Sequence, residues 1–137
     1  MAATFLFIGK PAAFAQSYEF AMTIQVPFDF QVGESQLPAG KYTVQRNAQM
    51  TNLLLIQSEG RKISVYTHTF PHGQSGNTGL GSLTFTKYGE KHFLSRAKLP
   101  GIENGYALAK SKAERQQRHL AEAKIINVTP NVIATNN

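Results

Sequence analysis

With 137 residues and no cysteine, the chain has enough length for one domain with a sizeable core, and it excludes disulfides, thiolate metal sites and a cysteine nucleophile. Its 42% hydrophobic and 16% charged content excludes wholesale disorder. The net charge of +6 comes from scattered basic residues, except across residues 110–124, so it points to one basic helix on a globular protein and no nucleic-acid partner is expected.

Residues 2–8 form a short apolar run, and Ala13-Phe14-Ala15 before Gln16 has the small-x-small form of a signal-peptidase site. This predicts export to the periplasm or the extracellular space. Residues 1–15 then serve as a leader or, if retained, as an N-terminal extension strand. The run is too short to cross a bilayer, so no transmembrane segment is expected.

Residues 18–32, YEFAMTIQVPFDFQV, place apolar or aromatic side chains at every even position and mostly polar ones at odd positions. Strand side chains alternate between faces, so this period of two gives one buried and one wet face. Fifteen residues at roughly 3.3 Å each exceed an ordinary strand. Pro27 cannot donate to a ladder, which predicts two strands joined by a bend, the second crossing to another sheet.

Gly33-Glu34-Ser35-Gln36 reads as a polar loop and Leu37-Pro38-Ala39-Gly40 as a turn. Strands are predicted over 41–46, 53–57 and 62–70, with Glu59-Gly60 turning the chain between the last two. In the third, Ile63, Val65 and Thr67 oppose Ser64, Tyr66 and His68. Residues 71–81, PHGQSGNTGLG, read as the longest loop. Residues 82–88 and 91–98 form a hairpin around Gly89-Glu90, and 99–105 read as another loop. Ser111-Lys112-Ala113-Glu114 is a capping box opening a helix over about 111–123. The helix rests on the surface through Ala113, Leu120 and Ala121, and a last strand over 124–128 stops before Pro130. The predicted fold is all-β: a β-sandwich or partly open barrel of about seven to eight antiparallel strands with one short C-terminal helix. It forms a single domain over 16–130, with 131–137 as a tail.

Two blocks occur together: IQVPFDFQVGESQLPAGKYTV at 24–44, and FTKYGEKHFLSRAKLPG at 85–101 with KSKAER at 110–115. They resemble a family of small exported β-rich proteins common in acidobacterial genomes, which share a VPFxFxVG…LPAGxYxV block and a C-terminal KSxAER-type helix. The resemblance implies export and a β-rich fold and supplies no catalytic residue.

The chemistry-bearing residues are sparse. Asp29 is the only aspartate and reads as a solvated or turn-bonding side chain. His68 and His72 stand four apart with Pro71 between them, and a zinc site would need His92 or Glu90 as a third ligand. No G-x-S-x-G elbow or phosphate-cradling Gly-Lys-Ser/Thr is present. Neither a metal nor a cofactor is expected, and no residue pair supports an exported hydrolase, for which His68 or His92 would be the base. Lys110, Lys112, Arg115 and Arg118 form a basic surface in which Glu114 and Arg118 are spaced to pair. An anionic cell-surface polymer is the partner that charge fits.

The expected function is that of an exported, non-enzymatic structural protein. It assembles into a homo-oligomer or filament by sharing a strand between copies. The assembly residues are Phe5, Phe7, Phe20, Met22, Ile24, Val26, Phe28 and Phe30. The alternative is a binding module whose inner aromatics, Phe28, Phe30, Tyr42, Phe85 and Phe93, line a barrel mouth for an apolar or glycan ligand.

Overall fold

The computed structural model describes residues 20–47, 49–74, 80–102 and 104–130. Ten strands, one 3-10 turn and one helix follow in order: β1 (Phe20–Val26), β2 (Phe30–Val32), β3 (Ser35–Leu37), β4 (Gly40–Arg46), β5 (Leu53–Ser58), the turn (Glu59–Arg61), β6 (Ser64–Gln74), β7 (Ser82–Tyr88), β8 (Lys91–Lys98), β9 (Asn104–Leu108), α1 (Lys112–Arg118) and β10 (Ala123–Val128). The leader at 1–15 and the tail at 131–137 lie outside the described residues.

The fold is all-β and open, as the alternation predicted. The strands run β1-β4-β5-β6-β9-β8-β2-β3, with β7 on the other side of β8 and β10 beyond β7. Eleven-residue β6 joins the two layers: its first half pairs with β5 and its second with β9. Antiparallel pairing dominates, but β2 meets β8 in parallel, a departure from the all-antiparallel expectation. β10 approaches β1 without pairing to it, so the sheet does not close into a barrel.

The bend at Pro27 does what its missing N–H requires. β1 ends at Val26 in the first layer and β2 starts at Phe30 in the second. Asp29 Oδ1 fixes the bend by accepting from the Ala39 N–H at 2.8 Å. The Tyr42 hydroxyl donates to the Pro38 carbonyl in the same turn. Burial, reinforced by the Asp29 charge, raises the pKa of that hydroxyl.

The two layers enclose one core, to which β1 contributes Met22, Ile24 and Val26, β4 Tyr42 and Val44, β5 Leu54 and Ile56, β7 Leu83 and Phe85, and β9 Tyr106 and Leu108. Its aromatic centre is interlocked: Phe30 meets Tyr42 and Phe85 edge to face at 5.1 and 5.3 Å between ring centres. Such contacts add about 0.5–1.5 kcal/mol each beyond the burial of area. Gly81 enters β7 at φ +82°, where a Cβ would stand 2.6 Å from the Lys98 carbonyl oxygen and 2.8 Å from Met22 Sδ.

Three expectations need correction. Residues 35–37 and 104–108 are strands, which raises the count from eight to ten. The loop expected from Pro71 begins later, because β6 continues through Pro71 to Gln74. At that point β9 alone flanks β6, so the missing proline N–H leaves no gap in an inner ladder. The helix stops at Arg118, and Leu120, expected beneath it, is 76% exposed.

Candidate functional site

Two features of this fold have functional geometry: an open strand edge on β1 and a trough on the outer face of the second layer.

β1 pairs with β4 through an unbroken register from Phe20↔Arg46 to Val26↔Gly40, and among the described residues no strand pairs with its other side. Of the residues expected to mediate assembly, Met22, Ile24, Val26 and Phe30 are buried in this chain's own core. Phe28 is half-buried, edge to face with Phe85 and stacked on His92 at 3.8 Å. Phe20 opens β1, and Phe5 and Phe7 lie outside the described residues. What β1 leaves open is its backbone edge, flanked by the exposed side chains of Ala21, Thr23 and Gln25.

The aromatics expected to line a barrel mouth line none. Phe30, Tyr42 and Phe85 fill the core, while Phe93 turns to the opposite face and packs against Tyr88 at 5.8 Å.

The trough is built on that opposite face. One cross-strand row runs Phe70↔Ala107↔Arg96↔Thr84↔Asn127 over five strands. At about 4.8 Å per strand spacing, the row spans about 19 Å. Its centre is small: Ala107 and Thr84 stand beside Arg96, and the next position on β9 is Gly105, opposite His72. A register shift at the centre of the β7–β8 pair brings Ser95 to the same face, where its hydroxyl bonds that of Thr86. Thr84 Oγ1 donates to Asn127 Oδ1 at 2.7 Å and ties β10 to the floor.

Two adjoining hollows of about 630 and 460 Å³ share His72, Thr84 and Arg96 and together make up the trough. α1 makes the wall of the larger one. Ser111 caps the helix by accepting from the Glu114 N–H at 3.1 Å, as the capping box predicted. Glu114 is only 4% exposed, and its carboxylate accepts from the Tyr88 hydroxyl at 3.1 Å, which docks the helix on β7. Burial pushes that carboxyl above its ordinary range, opposed by the Tyr88 hydrogen bond and by the charges of Lys110 and Arg118. Burial and the adjacent Glu114 push the Tyr88 hydroxyl up as well.

The predicted basic surface divides. Lys110 and Arg118 line the larger hollow together with Arg96, while the buried Lys98 lines the smaller one and donates to the Leu99 carbonyl. Lys112 and Arg115 are exposed and do not line it; the Lys112 N–H donates to Glu34 Oε1 at 3.2 Å. Glu114 feels Arg118 through space, while its hydrogen bond is to Tyr88.

The histidines do not converge. His72 stands in the trough and His68 on the exposed side of β6, whereas His92 stacks on Phe28 with Nδ1 buried and without a partner. Burial, assisted by Lys87, lowers the His92 pKa, against the pull of Glu90. Among the described residues no three His, Asp or Glu side chains are grouped to hold a metal ion, and no helix is long and apolar enough to cross a membrane.

Sequence reading missed Arg96, Tyr88 and the outward Phe70. The usable signal was Tyr66, His68, Phe70 and His72, a period of two that continues through Pro71 and leaves Tyr66 and Phe70 each 57% exposed. Comparison of the chain with known protein families, with curated proteins and with solved structures finds no match.

Proposed function

We propose that this chain is an exported, non-catalytic structural protein whose copies join by adding a strand at the β1 edge. One observation carries the reading: among the described residues β1, FAMTIQV, is a seven-residue open edge with no charge, internal proline or register break. Sheet edges ordinarily carry such devices because unpaired N–H and C=O groups template further pairing. The other two edges are defended, β3 by its three-residue length and β10 by Lys124. An added strand gains backbone hydrogen bonds along the edge, and head-to-tail repetition yields an open filament.

Residues 3–8, with Phe5 and Phe7 at strand spacing, are the sequence candidate for the donor. Export is supported by the apolar run at 2–8 and the Ala-x-Ala at 13–15, and the resemblance to small exported acidobacterial proteins agrees with it. Light scattering and electron microscopy of the full chain test the reading. Wild type should assemble, while Thr23→Lys with Gln25→Lys, both at exposed positions on the edge, should be monomeric and folded. Phe5→Asp with Phe7→Asp should lose assembly if residues 3–8 donate. A wild-type chain that stays monomeric at high concentration refutes the proposal.

A further inference from the structure

We propose that the trough on the outer face of the second layer binds a carboxylated polysaccharide, with Arg96 at its centre taking a sugar carboxylate. Arg96 is the central cation of the trough. It is exposed, stands mid-row on a five-strand floor, and has no hydrogen-bond or ion-pair partner among the described residues. A guanidinium offers a planar fork that matches a carboxylate in two parallel hydrogen bonds. Around it the floor is small and hydroxylated: Thr84, bonded to Asn127, keeps acceptor capacity for a sugar hydroxyl, the buried Thr86 and Ser95 bond one another, and Gly105 and Ala107 leave room for a chain to lie flat.

The shape selects an extended ligand. The row covers about 19 Å, and the two hollows adjoin at His72, Thr84 and Arg96. At one end Phe70, in register with Ala107, presents an exposed ring that can cover the apolar face of a pyranose. At the helix wall Arg118 and Lys110 offer positive charge to a second acidic unit.

The charge pattern disfavours a polyphosphate. Glu122 and Glu114 also line the larger hollow, so cations and carboxylates are interleaved there. Nucleic acid binding relies on neutralising successive phosphates with Lys and Arg, and this lining has no such run. A polysaccharide bearing isolated carboxylates among hydroxyls matches the spacing of single cations among Thr and Ser.

The test is a calorimetric titration of the full chain with a short oligogalacturonate, its fully methyl-esterified counterpart, and single-stranded DNA of equal charge. The acidic oligosaccharide should bind, the ester should lose about tenfold or more, and the DNA should bind more weakly than the oligosaccharide. Arg96→Gln should weaken oligogalacturonate binding about tenfold or more. Phe70→Ala should weaken it by a smaller factor. Lys62→Gln, which removes the same charge from an exposed position outside the trough, should leave it unchanged. Equal binding of ester and acid, DNA binding as tight as the oligosaccharide, or an unaffected Arg96→Gln chain with wild-type unfolding overturns the proposal. Assembly at β1 is read separately by light scattering, so failure of either idea leaves the other standing.

Discussion

The two faces of β7 and β8 differ more from one another than the two layers of the fold do. Toward the core, Leu83, Phe85, Leu94 and Ala97 are buried to within a few per cent, and Phe85 closes on Phe28 and Phe30 edge to face. One residue away along the same strands, Thr84, Thr86, Ser95 and Arg96 line an open trough. Alternation, interrupted by the register shift that puts Ser95 beside Arg96, thus produces a dry, interlocked surface and an opposite one whose Thr84, Ser95 and Arg96 side is open and polar. Stability should respond steeply to substitutions on the first face and weakly on the second. Binding should show the reverse.

The sharpest break in that comparison is Phe85→Ala against its neighbour Thr84→Ala. Removing the Phe85 ring empties the centre of the core and should cost about 3–5 kcal/mol in urea denaturation. Thr84→Ala removes one exposed hydrogen bond to Asn127 and should cost about 1 kcal/mol or less. Comparable losses at the two sites would show that the trough floor carries the fold. Gly81→Ala should follow Phe85→Ala in size, at about 2–4 kcal/mol, because positive φ strain adds to a Cβ pressed on the Lys98 carbonyl and Met22. That loss would confirm that Gly81, at the entry to β7, is clamped between Lys98, Met22 and Pro100.

The inner face was legible in the sequence and the outer one was not, for a physical reason. Period-two alternation at 20–32 reports burial directly, so β1 and β2 emerged with their bend, and the Gly89-Glu90 turn between two strand-like runs gave the hairpin of β7 and β8. Ser111 was legible because a cap is a contact over three residues. β3 and β9 escaped because SQL and NGYAL carry too little apolar pattern; they are strands by virtue of their partners. Arg96 was invisible for the same reason. Its place depends on a row through Phe70, Ala107, Thr84 and Asn127, assembled from residues far apart in the chain. Glu114 was read as a member of a capping box spaced to pair with Arg118, but Tyr88 lies 26 residues away and draws it inward.

The smallest effect probes the point where the two faces share a boundary, at Glu114 beneath the helix. Its carboxyl is raised above the ordinary range in the folded chain, burial being the leading cause. A group whose folded pKa is raised favours the folded state most when protonated. The stabilisation is therefore complete below the unfolded value of 4.5 and declines as pH rises through the folded one. Glu114→Gln keeps an acceptor for the Tyr88 hydroxyl and a residue type suited to the capping box, and it removes the charge. Measured in urea, the variant should gain on wild type between pH 4 and pH 7, with little difference at the acid end. The opposite trend, wild type gaining as pH rises, would mean that Lys110 and Arg118 outweigh burial. The trough wall would then be held by charge, as its ligand is proposed to be, and α1 would belong to the binding face more than to the core.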